Sequence, residues 1–264
     1  MAQEPSWPFG RTSQMSLTKP ADVRAACRSG EWSKPTAGLA PGFVQANLVI
    51  LPSVHADDFL EFCSKNPAPC PVLEATPKGI HEAASLAPGS DLRTDLPKYL
   101  IWRDGILVEE CADVLHLWGD DMRAILLGCS FTWEDFLEQA GLCPRHVQEG
   151  HNVPMFNTSI DLHRVGRFGG QMVVSMRPYS PSEIDRVRSI TAAYPAAHGA
   201  PIHVGNPEAI GVQNCSTPDY GEAVQIFDGE VPVFWACGVT PQNALRKAKL
   251  PLAITHAPGH MFLA

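Results

Sequence analysis

Apolar residues in this chain come in short runs, each closed by proline, glycine or a polar turn: ANLVILP (46–52), CPVLEA (70–75), QMVVSMRP (171–178), APIHVG (200–205), EVPVFWACG (230–238) and PLAITHA (251–257). Runs this short, in a chain with 24 prolines, exclude a bundle of long helices. They read as buried strands. None approaches the roughly 20 apolar residues that a membrane-spanning helix needs.

Segments with helical spacing lie between them. Ser53 opens VHADDFLEFCSK, with Asp57 and Asp58 early, as the helix dipole favours, and Pro67 and Pro69 as stops. With the runs on either side it forms a strand–helix–strand unit of parallel type. In KYLIWRDGILVEE (98–110), Asp104-Gly105 between two alternating runs predicts a hairpin. VLHLWGDDMRAILLGC (114–129) has helical spacing, and FTWEDFLEQAG predicts a second helix with Thr132 as cap and Gly141 as stop. Ser180, Pro181 and Glu183 form a capping box before a helix that returns into APIHVG. A last strand–helix–strand unit has Thr240 as cap and Pro241 in the first turn. No internal repeat or low-complexity tract is evident.

This alternation predicts an α/β fold, a mostly parallel or mixed sheet with flanking helices. Its 264 residues suffice for a sizeable core. Residues 1–14 read as a flexible tail, residues 15–149 and 206–264 as the main α/β domain, and 150–205, with its glycine-rich start, as a smaller inserted α+β subdomain.

A net charge of −8 and the lack of any basic block argue against nucleic acid, whose phosphates demand clustered Lys and Arg. The start of the chain lacks the layout of a signal peptide, so a cytoplasmic protein is expected, with no membrane contact. The eight cysteines include no C-x-x-C pair and are expected as free, mostly buried thiols. No phosphate loop, dinucleotide fingerprint, nucleophile elbow or H-E-x-x-H occurs, and no cofactor is expected. A homo-oligomer is left open.

Candidate site residues follow from the parallel reading. If the strands at 231–237 and 252–256 are neighbours, their carboxyl ends share a ligand-binding edge. That edge carries Cys237, Gly238 and Thr240, with His256 and His260, and the helix after Gly238 offers free N–H groups to a carboxylate. Pro258 and Gly259 break any helix between the two histidines, so they are no helical metal pair, and no third ligand is fixed by spacing. His256 or His260 is expected to move protons, with His198 in reserve. Arg177, at a strand end, suits a carboxylate, as does Arg93 unless its flanking aspartates occupy it. Gln45, Asn47, Ser130 and Asn152 are further candidates for substrate contact.

PTAGLAPGFVQANLVILP, NPAPCPVLE, DLRTDLPKY, GCSFTWEDFL, NVPMFNT, SMRP, HGAPIHVG, VPVFWACGVTPQ and THAPGHMF together resemble the D-glutamate cyclase family, whose bacterial branch carries a hydro-lyase label. The resemblance spans about residues 20 to 263. It implies a two-part α/β fold and reversible dehydration of D-glutamate to 5-oxo-D-proline. Characterised animal members are mitochondrial and carry an additional domain. No catalytic residues carry over, so the site above rests on geometry alone. Two rivals remain: a non-catalytic small-acid-binding protein or partner subunit in 5-oxoproline metabolism, and a hydro-lyase acting on another hydroxy or amino acid.

Overall fold

A computed structural model describes residues 17–264; the expected tail, residues 1–14, lies outside the described residues. Helix α1 (Pro20–Ser29) precedes strand β1 (Gln45–Pro52), helix α2 (Ser53–Lys65) and strand β2 (Val72–Ala75). A hairpin of β3 (Tyr99–Arg103) and β4 (Ile106–Cys111) follows, then β5 (Met122–Gly128), helices α3 (Phe131–Gln139) and α4 (Arg145–Glu149), and strands β6 (Met155–Asp161) and β7 (Gln171–Tyr179). Next come helix α5 (Ile184–Ala192), strands β8 (His203–Val204) and β9 (Val231–Ala236), helix α6 (Val239–Ala248), and strands β10 (Ala253–His256) and β11 (Phe262–Leu263).

One sheet runs β2-β5-β1-β10-β3-β4, with β11 also beside β1; the other runs β6-β7-β9-β8. Every strand pairing among the described residues is antiparallel. The fold is therefore α+β, not the mostly parallel α/β arrangement that the alternation suggests. The reason lies in the strand–helix–strand units. β1 and β2 do run the same way, but β5 lies between them and opposes both. β7 and β8 likewise flank β9. Each unit is a split βαβ.

A repeat invisible in the sequence follows. Each sheet contains a βαββ unit, β1-α2-β2-β5 or β7-α5-β8-β9, and each unit continues into a helix, α3 or α6. The strand after that helix crosses to the other sheet. β6, after α3, joins β7; β10, after α6, joins β1. So β9 and β10 are not neighbours, and the shared strand edge expected for them does not exist. The second sheet draws β6, β7 and β8 from the interval 150–205 and β9 from beyond it.

The segment 114–129 is not a helix. Residues 115–117 make a short 3-10 turn, and Met122–Gly128 form β5. β5 is buried along almost its whole length, so its apolar run has no polar face to display a period of two. On β1, Ala46, Leu48 and Ile50 face one core layer, while Val49 and Leu51 face the layer covered by α2 and α6.

The expected hairpin turn is present: Asp104 and Gly105 have φ of 51° and 79°, as a tight turn of this hand requires. A Cβ on Gly105 would also overlap the Arg246 carbonyl at the end of α6. Gly105→Ala is expected to cost more than about 2 kcal/mol, from strain and overlap together. Gly30→Ala is the control, because Gly30 has φ 78° and nothing within 4 Å of a Cβ; it should cost only about 1 kcal/mol. Equal losses in chemical denaturation would show that the α6 contact does not constrain the hairpin.

Candidate active site

Two chain crossings between the sheets are built alike. β5 enters α3 through Cys129-Ser130, and β9 enters α6 through Cys237-Gly238. At the first crossing Gly128 pairs with Ala46; at the second Ala236 pairs with Val174. The hydroxyl of Thr132 accepts from the Gln45 N–H at 3.1 Å and donates to the Gln45 carbonyl at 3.3 Å. The hydroxyl of Thr240 does the same with Val173, at 2.9 and 3.1 Å. Both threonines, expected as helix caps, instead clamp their helix to the neighbouring strand.

The crossings meet at Asn47. Its Nδ2 donates to the Gly128 carbonyl at 2.9 Å. A Cβ on Gly238 would overlap the same amide, so only glycine lets the second turn approach this closely. Gln45 lies on the same face of β1 as Asn47, since side chains two apart share a face. Its Oε1 is buried and has no partner.

Arg177, on β7, is fully buried. Its Nε and Nη2 donate to Glu134 of α3, Nη2 also to Ser130 Oγ at 3.0 Å, and Nη1 to Ser175 Oγ at 3.0 Å. The guanidinium lies 4.6 Å from the ring centre of Trp133 and 5.3 Å from that of Trp235. The carboxylate that Arg177 holds is thus Glu134. Ser130 occupies the N-cap position of α3 but makes no side-chain cap bond, because its hydroxyl turns to Arg177. The same carboxylate takes His146 Nε2 at 3.1 Å, and His146 Nδ1 is buried without a partner. Burial raises the Glu134 carboxyl, but the charges of His146 and Arg177 outweigh it and hold the group below its ordinary range.

His256 is the last residue of β10, where the chain leaves the first sheet. β10 covers Val49 and Ile50 of β1, β11 covers Gln45 and Ala46, and the intervening residues leave the sheet. Thr36 anchors that detour, its N–H on the Gly259 carbonyl at 2.8 Å and its hydroxyl on the Met261 carbonyl at 2.9 Å. The His256 ring stands opposite the gap: the Leu48 N–H donates to its Nδ1 at 3.2 Å. The Leu48 carbonyl lies 3.4 Å from the same Nδ1, and Nε2 faces the side-chain nitrogen of Gln242 of α6 at 3.4 Å, a donor that a lone pair on Nε2 accepts. The tautomer of His198 is set by a single contact. Its Nδ1 donates to the Ala68 carbonyl at 2.8 Å, and its Nε2, an acceptor, is buried and unpartnered. The preceding residue, Ala197, packs its Cα 3.2 Å from the Cβ position of Gly128, and the charge of Arg177 reaches the His198 ring. Burial lowers both His198 and His256 to about 4, and both rings are neutral near pH 7.

The other candidates lie apart or are committed. His260 is half-buried, with Nδ1 on the Pro258 carbonyl, and its charge reaches His256. Arg93 is held by both oxygens of Asp91 at 2.8 Å. Asn152 is tied through its N–H to Glu222. Conversely, the structure adds Cys129, Glu134, His146, Ser175 and Gln242, none of which sequence reasoning placed in the site. Only Glu134 left a trace, an acid among the apolar residues of FTWEDFL. Among the described residues no group of three or more His, Cys, Asp or Glu side chains could hold a metal ion. No helix there is long and apolar enough to cross a membrane.

A family model described as D-glutamate cyclase matches residues 124–264. A "Putative hydro-lyase" of Rubrobacter xylanophilus is 56% identical over 92% of this chain and 94% of its own length. One from Paracoccus denitrificans is 54% identical over 94% and 95%. The "Putative hydro-lyase YcsI" of Bacillus subtilis is 52% identical over 92% and 95%.

The neutral histidines make stability depend on pH. In the unfolded chain each protonates near 6.5, in the fold near 4. Between these values the unfolded state binds more protons. The stabilising contribution is full above about pH 6.5 and declines as pH falls toward 4, by up to about 3 kcal/mol per ring. The difference in Tm between wild type and His198→Gln should therefore shrink on acidification from about pH 7 to 4.5. A difference that stays constant over that range would place the His198 ring in solvent.

Proposed function

This chain belongs to the D-glutamate cyclase family, and from that premise we propose that it catalyses reversible dehydration of D-glutamate to 5-oxo-D-proline where the two crossings meet. The observation that carries this is His198: a buried neutral imidazole whose tautomer is fixed by a carbonyl, leaving an unpartnered lone pair on Nε2. That is what a group taking a proton from an α-ammonium must offer.

Lactam closure forms a C–N bond between the α-amine and the γ-carboxyl carbon and breaks a C–O bond. The ammonium gives up two protons over the reaction, and the departing oxygen takes both, leaving as water. His198 Nε2 accepts the first proton. The Gln242 amide N–H, held beside the His256 ring, donates toward the oxygen on which charge develops. Arg177 acts on a bound carboxylate through Ser130 Oγ, which it orients. Main-chain N–H groups at the starts of α3 and α6 supply the remaining anion-binding capacity. Since the reaction is intramolecular, holding the folded conformer of glutamate beside these groups supplies a large share of the acceleration.

Purified protein incubated with D-glutamate or 5-oxo-D-proline should interconvert them, read as loss or gain of one water by mass. His198→Gln should lower turnover about 10²–10⁴-fold with little change in KM. With the base near 4, the acidic limb of the rate profile should lie close to that value. Saturable binding without conversion would mark a binding protein instead. Conversion undiminished in His198→Gln would move the proton transfer to another group.

A further inference from the structure

The function just proposed leaves unused the two thiols at the centre of the seam. Cys129 and Cys237 occupy equivalent positions in the internal repeat, each one residue past a strand end and three before the threonine that clamps the following helix. Asn47 joins the two turns, bonded to the residue before Cys129 and packed against the residue after Cys237. Each half of the molecule thus brings one thiol to the same place from its own side.

We propose that Cys129 and Cys237 are proton carriers for the two faces of the α-carbon of a bound amino acid, so that the protein also exchanges its α-hydrogen and interconverts its D and L forms. The proposal rests on the site holding an α-amino acid or its lactam. Two further groups point to such a ligand. Gln45 Oε1 and His198 Nε2 are both buried acceptors without a partner. Gln45 is clamped to the first turn and lies on the Asn47 face of β1, and the residue before His198, Ala197, packs against Gly128. Unsatisfied buried acceptors call for a donor, and an ammonium or lactam N–H is one that an amino acid brings with its α-carbon.

The step balances without an oxidant. One sulfur, as thiolate, takes the α-proton; the C–H electron pair passes into the adjacent carboxyl group. The thiol on the other face then gives its proton to the α-carbon, inverting it. The sulfurs end with their proton exchanged, ready for the reverse direction. Burial raises Cys129 to about 12 and Cys237 to about 11, against the opposing pull of the turn N–H groups and Arg177. Both thiols are protonated near pH 7, so the first thiolate must form by loss of a proton to hydroxide. Exchange should accelerate as pH rises.

The wild type is incubated in D₂O separately with D-glutamate, L-glutamate, 5-oxo-D-proline and 5-oxo-L-proline. The α-proton signal is followed by NMR and the enantiomers by chiral chromatography. Deuterium is expected at the α-carbon, with the opposite enantiomer appearing, faster at higher pD. Cys129→Ser and Cys237→Ser should each slow inversion by at least about 10²-fold. Each should still exchange one enantiomer only, and not the same one. No exchange by the wild type with any of the four compounds overturns the proposal, whether or not the variants fold. So does a serine variant that folds and inverts at the wild-type rate. Lactam closure is read by mass in the same samples: closure without exchange overturns this inference alone, and exchange without closure overturns only the function proposed above.

Discussion

Arg177 is the charge around which the molecule is assembled. A fully buried guanidinium is tolerable only when its donors are matched and its charge compensated. Its partners come from two strands and a helix: Ser175 from β7, Trp235 from β9, and Ser130, Trp133 and Glu134 from α3 and its turn. Removing Glu134 would strand a buried cation beside two indole rings, a loss of about 3–5 kcal/mol for pairs of this kind. The pair therefore fixes where α3 starts relative to the second sheet, and with it Cys129 and Ser130.

Exchange of the fourth strands makes each sheet depend on the other. The first sheet needs β10 to join β1 to the β3–β4 hairpin, and β10 arrives only by way of β9 and α6. The second needs β6, which arrives by way of β5 and α3. The chain end is apolar because it closes the first sheet. Arg24 of α1 donates to the Leu263 carbonyl and covers the Phe262 ring, while Arg24 and Arg28 pair with Asp95. Burial raises the Asp95 carboxyl even so, the mark of a desolvated acid whose partners compensate it only in part. The motifs DLRTDLPKY and THAPGHMF thus hold down a terminus rather than touch the seam, His256 excepted.

What could be read from sequence was local. Short apolar runs and turn residues locate β1, β7, β9, β10 and the Asp104-Gly105 hairpin, since those signals act within a few residues. Pairing direction was out of reach: a strand–helix–strand pattern looks the same whether its strands touch or admit a third between them. β5 was misread for a related reason, being buried on both faces. In the site, Gln45, Asn47, Ser130 and Arg177 stand out in the sequence as polar residues against apolar neighbours, and His256 by its place at a strand end. Glu134 and His146 do not, because a charged residue on an amphipathic helix reads as a solvent face, and only tertiary structure turns it inward. The correspondence of Cys129 with Cys237 shows only once Gln45 and Val173 are seen making the same bonds.

Burial also bears on the chemistry. In water an α-ammonium is a far weaker acid than an imidazolium, and a histidine lowered to about 4 would be a poor base for it. Under the function proposed above the comparison changes, because both groups would share one desolvated seam. Burial disfavours the charged form of an amine as it does that of a ring, so the bound ammonium is acidified by the same surroundings that lower His198. Carboxylates held by Ser130 and the helix N-termini are compensated by fixed dipoles rather than by water. An ammonium bound there would find only neutral acceptors, Gln45 Oε1 and His198 Nε2, and no counter-charge from them. Under the function proposed above, neutral acceptors hold such a charge less well than water does, and losing it is the first step that lactam closure requires.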